Sequence, residues 1–189
     1  MEWAAAQVAV GRQEVAAGLP AAAVSAAGAE VSAAVDQAEV GDAIVRTKEF
    51  LSKVDHDLVV RAIREAEVRS SGEIRVYIHR GKLDEDALTA ARQRFSRLGM
   101  EKTRDRNAVL LFISPRAHKF AVVGDKAVHE KCGNDYWQQV VNTMREHFRN
   151  ERFSQAIVDA IKEIGDLLAA HFPPKPGGAN ELSNEIIEG

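Results

Sequence analysis

The chain has 189 residues, of which 28% are charged and 46% are hydrophobic, and its formal net charge is −3. This composition is typical of a globular protein, and the small negative charge argues against a nucleic-acid partner or recruitment to an anionic membrane surface. The single cysteine, Cys132, excludes an intrachain disulfide and a cysteine-only zinc site.

The sequence favours a soluble, cytoplasmic protein. No uninterrupted apolar run approaches the roughly 20 residues that are needed to cross a bilayer, so we expect no transmembrane segment. The N-terminus lacks the basic region of a signal peptide, and polar residues such as Gln7 and Arg12 interrupt its apolar stretch.

Residues 1–44 differ in composition from the rest of the chain. They are rich in alanine, with scattered glycine and almost no large apolar side chains. Alanine favours helix but buries little area, and burial stabilises by only roughly 25 cal/mol per Å². The segment is therefore predicted to be a poorly ordered N-terminal extension. The alternative is that translation starts further downstream and that the native protein lacks it.

Residues 45–173 are periodic and are predicted to form one domain, which begins with a helix and a strand. Thr47 or Asp55 can cap the helix, and apolar residues recur at helical spacing over 58–66. The stretch "EIRVYIH", residues 73–79, then alternates apolar and polar side chains. This alternation is typical of a half-buried strand.

A second helix and two strands follow. Acidic residues at 84–86 suit the N-terminal end of a helix dipole, and Gly99 suits its C-terminal end. The run "NAVLLFIS", residues 107–114, is continuously apolar, as expected for a central strand that is covered on both faces. The stretch "HKFAVVG", residues 118–124, is predicted to return as its antiparallel partner.

The remaining part of the domain is predicted to be helical. A short helix over 126–131 is followed by a break at Gly133, a longer helix begins near Asp135, and another begins near Ser154. Residues 174–189 begin with prolines and glycines and are predicted to form a flexible C-terminal tail. The order of elements predicts a three-layer α/β/α sandwich with a small mixed β-sheet.

Four stretches match a known family in order and spacing: "AIREAEVRSSGEIRVYI", "FSRLGMEKTRDRNAVLLFIS", "KFAVVGDKAVHEKCGNDYW" and "AIVDAIKEIGDLLAAHFP". Together they resemble the TPM domain, an α/β sandwich, over roughly residues 46–173. A plant thylakoid member of this family is assigned acid phosphatase activity, and other members bind calcium through acidic side chains at strand ends. The resemblance also implies membrane-anchored TPM proteins and LemA-type proteins as partners.

The match departs from the family pattern at two places. Many members read Asp-Asn-Gly-Val-Leu where this chain has Arg-Asn-Ala-Val-Leu at 106–110, with Asp105 one position early. Many read Gly-x-Gly-Leu-Glu where it has Gly-Asp-Lys-Ala-Val at 124–128. The family's second glycine and its glutamate are therefore absent, which weakens the transfer of a calcium or phosphatase site.

Polar side chains stand at the predicted strand ends. Glu73 and Asn107 begin their strands, Asp105 precedes Asn107, and Asp125 follows the third strand. If the third strand is antiparallel, Glu73, Asn107 and Asp125 can share one edge of the sheet. Ca²⁺ and Mg²⁺ take oxygen ligands from carboxylates and amides, so these residues are candidate metal ligands. The alternative, which we favour, is that they are solvated capping and turn residues.

Basic residues adjoin the same edge. Arg106 and Lys126 are candidate phosphate ligands, because cationic side chains bind phosphate through charge-assisted hydrogen bonds. A phosphatase also has to activate water or a nucleophile, and the sequence has no glycine-rich phosphate cradle and no Cys-x5-Arg loop. His129 and Cys132 could hold a soft metal, but no second cluster completes four ligands, and a buried thiol is expected instead.

The expected function is a TPM-type ligand- or partner-binding module, with Ca²⁺ or Mg²⁺ as a candidate ligand at the sheet edge. One alternative is a divalent-dependent acid phosphatase that acts on phosphomonoesters. Another is a pure protein-interaction module. The sequence leaves open whether the protein is an enzyme.

Overall fold

The structure, a computed structural model, describes residues 8–9, 47–175 and 181–189. The predicted N-terminal extension therefore lies outside the described residues, apart from one short strand. In chain order the elements are β1 (Val8–Ala9), α1 (Thr47–Lys53), α2 (His56–Val68), β2 (Glu73–Ile78), α3 (Ala87–Arg97), β3 (Ala108–Ser114), β4 (Lys119–Gly124), α4 (Lys126–Arg149), α5 (Phe153–His171) and β5 (Ile187–Glu188). Short 3-10 helices occur at Met100–Lys102 and Pro115–Ala117.

The strands form one mixed sheet in the order β1-β4-β3-β2-β5. Strands β2 and β3 are parallel, and β4 is antiparallel to β3, which confirms the predicted hairpin. All seven residues of β3 are buried, as predicted for a central strand. The antiparallel return is decisive for the site, because it brings the end of β4 beside the beginnings of β2 and β3.

Helices cover both faces of the sheet. On one face, the Arg94 guanidinium of α3 lies 4.4 Å from the centroid of the Tyr77 ring, which stacks on Phe112 of the next strand. On the other face, Phe120 meets Phe148 of α4 with ring centroids 5.0 Å apart. Phe120 is one position before the residue that pairs with Phe112, so the two rings lie on opposite faces. This arrangement confirms the predicted three-layer sandwich.

Local signals position the helices as predicted. Asp55 caps α2 by accepting the N–H of Leu58, and Asp86 caps α3 in the same way. Helix α4 has a non-helical residue at the predicted break, Gly133, whose φ is 68°. Helix α5 packs against α2 and α4 and completes the second helical layer. None of the helices in the described part of the chain is long and apolar enough to cross a membrane.

Strand β2 differs from the predicted half-buried strand. Glu73 and Tyr77 occupy the polar positions of the alternation, yet they are only 5% and 1% exposed. Helix α3 covers the face of the sheet that contains Tyr77. Residues that return from the end of the chain cover Glu73.

Residues 181–189, named here the C-terminal segment, differ from the flexible tail predicted for 174–189. They contain β5, which pairs in parallel with β2 and sets Ile187 opposite Tyr77. The half-buried side chains of Ile187 and Leu182 pack against the core. The segment is bound because burial of aliphatic groups is favourable and because an uncovered strand edge offers unpaired backbone groups.

Candidate functional site at the sheet rim

The four predicted site residues lie along one edge of the sheet, which we call the rim. Glu73 pairs with Ala108, the first residue of β3. Asn107 directly precedes Ala108 in the chain. The last residue of β4 pairs with the second residue of β3, so Asp125 emerges beside them. The Asp125 N–H donates to the carbonyl of Ala108 at 2.9 Å and fixes this end of the hairpin.

Asp125 is buried and neutralised by the protein itself. Its carboxylate accepts two hydrogen bonds from the Arg106 guanidinium, at 2.8 and 3.0 Å. It also accepts the N–H of Lys126 at 2.7 Å and thereby caps α4. A carboxylate that binds a guanidinium and a helix N-terminus in this way is stabilised as an anion without a metal.

Asp105 is joined to the chain beyond α5. The Lys175 ammonium donates to both of its oxygens, at 2.5 and 2.7 Å, and the Ser71 hydroxyl donates at 3.1 Å. The hydrogen bonds from Lys175 lower the pKa of Asp105. Asp105 is therefore a charged anchor for the segment that follows α5.

Asn107 is the one rim residue with an unused oxygen. Its side chain is 1% exposed, and its Nδ2 donates to the hydroxyl of Ser71 at 3.2 Å. Its Oδ1 is buried and has no hydrogen-bond partner among the described residues. Buried polar atoms are nearly always paired, so this oxygen is an exception at the rim.

Glu73 binds the C-terminal segment. One oxygen of its carboxylate accepts the N–H of Glu181 at 2.9 Å, and the other accepts the N–H of Leu182 at 3.2 Å. Burial raises the pKa of Glu73, and these two hydrogen bonds offset part of that rise. Glu73 is thus a receptor for two successive backbone amides and not an edge carboxylate facing solvent.

Glu67 is a site residue that the sequence analysis missed. Its carboxylate accepts the N–H of Ile74 at 3.0 Å and also binds the side-chain amide of Asn184 in the C-terminal segment. Burial raises the pKa of Glu67 to about 7, and the nearby charge of Glu73 contributes to this rise. The only sequence signal was its position at the end of a helix, six residues before Glu73.

The two candidate phosphate ligands have different surroundings. Arg106 binds Asp125, although its side chain remains 53% exposed. Lys126 is 55% exposed, and its Nζ lies 3.8 Å from the Glu130 carboxylate on the next turn. Arg106 is therefore held by a short ion pair with a buried carboxylate, whereas Lys126 has only a long ion pair with an exposed one.

In this arrangement the carboxylates of Asp105 and Asp125 bind cationic side chains of the protein itself. Within residues 47–175 and 181–189, no three His, Cys, Asp or Glu side chains come close enough to share a metal ion. The positive groups of Arg106 and Lys175 occupy the oxygens of Asp125 and Asp105 and would repel a dication. Burial also raises the pKa of Cys132 to about 11, which disfavours the thiolate that a soft metal needs.

Comparison with known proteins places this architecture in a family. A family model, the TPM domain, matches residues 44–167. The chain belongs to the TPM domain family. The NMR structure of the BA42 protein from the psychrophilic bacterium Bizionia argentinensis is similar to this TPM protein, with 34% sequence identity and a TM-score of 0.66. The similarity covers 71% of this chain and 92% of BA42. A search of curated proteins gave no match.

Proposed function

We propose that this TPM domain is a binding module that receives an extended protein segment at the rim and along the outer edge of β2. One observation carries the proposal: the Glu73 carboxylate accepts the N–H groups of two consecutive residues, Glu181 and Leu182, of a segment that then pairs with β2. This is the geometry of strand addition, in which backbone hydrogen bonds supply affinity and side-chain contacts supply specificity.

The contacts along β2 define the kind of segment that fits. The half-buried Ile187 packs against the core beside Tyr77, and Arg80 forms an ion pair with Glu188 at 3.0 Å. The backbone N–H of Arg80 also donates to the carbonyl of Gly189 at 2.9 Å. A ligand for this edge is therefore an extended segment with aliphatic and acidic side chains.

The partner in this proposal is a protein that carries such a segment and displaces the C-terminal segment from the rim. The membrane-anchored TPM proteins and LemA-type proteins that the family resemblance implies are the first partners to test. A displacement of this kind is feasible because hydrogen bonds and a small apolar contact hold the occupant on the edge, which it can leave while it stays attached to the chain.

The experiment uses a synthetic peptide of residues 181–189 and the full chain with a weakened C-terminal segment. Leu182→Pro removes an N–H that binds Glu73, and Ile187→Asp removes an apolar contact. By fluorescence anisotropy, the peptide is expected to bind this variant at least about tenfold more tightly than the unmodified chain. The reason is that an attached segment competes at roughly millimolar effective concentration.

The matched control is the same peptide with proline in place of Leu182, which lacks the amide that Glu73 binds. It should bind the weakened chain less tightly than the natural sequence. If the weakened chain melts cooperatively but binds neither peptide, the edge of β2 is only an internal packing surface and the proposal fails.

Binding of a divalent cation at the rim is the second candidate function, and the unpaired Oδ1 of Asn107 supports it. An amide oxygen is a suitable Ca²⁺ or Mg²⁺ ligand, and Ser71 links Asn107 to the carboxylate of Asp105. Binding would require Lys175 to leave Asp105, since its ammonium occupies both carboxylate oxygens.

Thermal melts with EDTA, Ca²⁺ and Mg²⁺ test this candidate. A ligand at a hundredfold excess over its Kd stabilises the folded state by about 2.7 kcal/mol. The cation-dependent shift should be larger in Lys175→Met than in the unmodified chain, whereas the exposed Lys131→Met should have no effect. If neither cation shifts the thermal melt of the unmodified chain or of either variant, the proposal of a cation at the rim fails. Assays of phosphomonoester hydrolysis on the same samples test the phosphatase alternative.

A further inference from the structure

A cleft of about 260 Å³ lies at the end of the sheet opposite the rim. It is formed by α3, by the loop after β2 at residues 79–85, and by Phe112 near the end of β3. At roughly 3.3 Å per residue, the length of β2 separates this cleft from Glu73 by about 20 Å. The carboxyl ends of parallel strands are the usual ligand site of an open α/β sheet.

Two arginines of α3 give the cleft a positive character. The Arg94 guanidinium is held against the Tyr77 ring, 4.4 Å from its centroid, and Arg97 follows one turn later. Across the described ranges, neither side chain forms an ion pair or a hydrogen bond. Guanidinium groups in this state can donate paired hydrogen bonds to an oxyanion.

The acidic residues of the cleft do not neutralise these arginines. The Asp84 carboxylate lies 3.2 Å from the Nζ of Lys82. The Glu85 carboxylate accepts a hydrogen bond from Gln93 at 2.8 Å. Lys82 compensates the charge of Asp84, whereas Gln93 is neutral and leaves the charge of Glu85 in place. The two arginines of α3 outnumber this one carboxylate, so the cleft keeps a net positive charge for a ligand.

His79 adds a polar atom in a fixed ring. The imidazole stacks on Phe112 with ring centroids 5.9 Å apart. Its Nε2 lies 3.2 Å from the carbonyl of Lys82, and because a carbonyl only accepts, Nε2 carries the hydrogen. Its Nδ1 is buried and has no hydrogen-bond partner within residues 47–175 and 181–189. With the hydrogen on Nε2, Nδ1 is an acceptor, so it can pair with a hydroxyl or N–H of a ligand but not with an anionic group.

We propose that this cleft binds a compact organic oxyanion, whose anionic group is held by Arg94 and Arg97 and whose body lies beside the His79 ring. The volume lies just below the roughly 300–1,000 Å³ of sites for drug-sized ligands, which restricts the ligand to a small molecule. The apolar side chains of Leu83 and Phe112 suit a flat or apolar body. The cleft is independent of the function proposed for the rim.

The experiment is an NMR titration of the full chain with benzoate and with phenylphosphonate, which distinguish a carboxylate from a phosphate-like group. Inorganic phosphate tests the anionic group without an apolar body. We expect saturable shifts of the His79 ring signals and of the amides of 82–85, and no shifts at the rim.

Substitutions assign the binding to the cleft. Arg97→Gln changes an exposed side chain, and Arg94→Gln removes the guanidinium above Tyr77. Each should weaken binding about tenfold or more, the effect of losing one hydrogen bond between charged groups. Arg92→Gln, an exposed arginine of the same helix outside the cleft, should change the Kd by less than about twofold.

Two outcomes overturn the proposal. One is the absence of saturable shifts up to roughly 10 mM ligand, ten times a millimolar Kd. The other is binding that Arg97→Gln leaves unchanged, or that Arg92→Gln weakens equally, because either result shows non-specific association with a charged helix. If Arg94→Gln alters the fold, the effect of Arg97→Gln on ligand binding is the test of the proposal.

Discussion

Arg106 and Asp125 form a two-point ion pair at the start of α4, with N–O distances of 2.8 and 3.0 Å. The pair is asymmetric, since the Asp125 side chain is 2% exposed and the Arg106 side chain is 53% exposed. Arg106 also has a φ of 52°, a left-handed conformation that favours glycine. The chain therefore keeps an arginine in an unfavourable backbone conformation, where its guanidinium neutralises a buried carboxylate.

Substitution of Arg106 separates the ion pair from the backbone strain. Arg106→Ala should lower the free energy of unfolding by about 1–3 kcal/mol, because it leaves Asp125 without its cation. The value is moderate because solvent reaches the arginine. Arg106→Gly loses the same pair but relieves the positive φ, and should be about 0.5–1 kcal/mol more stable than Arg106→Ala. Urea denaturation measures both differences.

Lys126→Ala is the matched control for this pair. The side chain is exposed, and its Nζ lies 3.8 Å from the Glu130 carboxylate, so its removal should change stability by less than about 0.5 kcal/mol. A loss in Lys126→Ala as large as that in Arg106→Ala would show that the ion pair with Asp125 is not a source of stability.

Glu67 should make the stability of the fold depend on pH. Its pKa in the folded state is about 7, above the ordinary value of 4.5. Between pH 4.5 and pH 7 the folded state therefore keeps a proton that the unfolded state has already lost. Stability should therefore fall as pH rises from 4.5 to 7, by at most about 3 kcal/mol at 1.36 kcal/mol per pKa unit. Solvent screening reduces this figure.

Glu67→Gln isolates that contribution, because glutamine does not titrate and retains an oxygen for the N–H of Ile74. The difference in unfolding free energy between the two proteins should change across pH 4.5–7 and be constant above pH 8. Glu65→Gln, at an exposed position of the same helix, should follow the unmodified chain. A parallel pH profile for Glu67→Gln and the unmodified chain would contradict the raised pKa.

Local patterns were sufficient to predict most of the fold. The apolar run of β3 and the turn after it define a hairpin through burial and chain reversal, and both signals lie within about 20 residues of sequence. Asp86 caps α3, and Trp137 belongs to the buried face of α4, for equally local reasons. These features depend on the spacing of neighbouring residues, which the sequence displays directly.

Long-range contacts were not predictable in the same way. The prolines and glycines after α5 indicate a surface path, but they carry no information about where Leu182 or Ile187 docks more than 100 residues from its partners. The role of Glu67 depends on the same return of the chain. The strand ends were predicted to share an edge if β4 were antiparallel, yet the partners that neutralise Asp105 and Asp125 could not be read from sequence spacing.

Gly124 should resist substitution because α4 packs directly on it. A Cβ at this position would lie 2.5 Å from Cζ2 and 2.9 Å from Cη2 of the Trp137 ring. Trp137 is fully buried and cannot move aside without disturbing its neighbours. Gly124→Ala should therefore lower the free energy of unfolding by about 1–3 kcal/mol, the usual cost of overpacking, as measured by chemical denaturation.

A double-mutant cycle with Trp137→Phe tests the cause. Phenylalanine lacks the part of the indole ring that the new methyl group would meet, so Gly124→Ala should cost less in that background than in the unmodified chain. Equal costs in both backgrounds would show that Gly124 is required for a reason other than contact with Trp137.

Glu73 should hold the C-terminal segment in place without determining global stability. Glu73→Gln retains one acceptor oxygen but turns the other position into a donor, so one of the two bonds to Glu181 and Leu182 is lost. Amide hydrogen exchange of these two residues should become about tenfold faster, as expected for the loss of one hydrogen bond to a charged group. NMR-detected exchange resolves both amides.

Glu185→Gln serves as the control in the same segment, because the Glu185 side chain is 72% exposed and its carboxylate lies 3.9 Å from the Arg64 guanidinium. Exchange at Glu181 and Leu182 should change less than about twofold in that variant. Equal protection in Glu73→Gln and the unmodified chain would mean that strand pairing with β2 alone holds the segment.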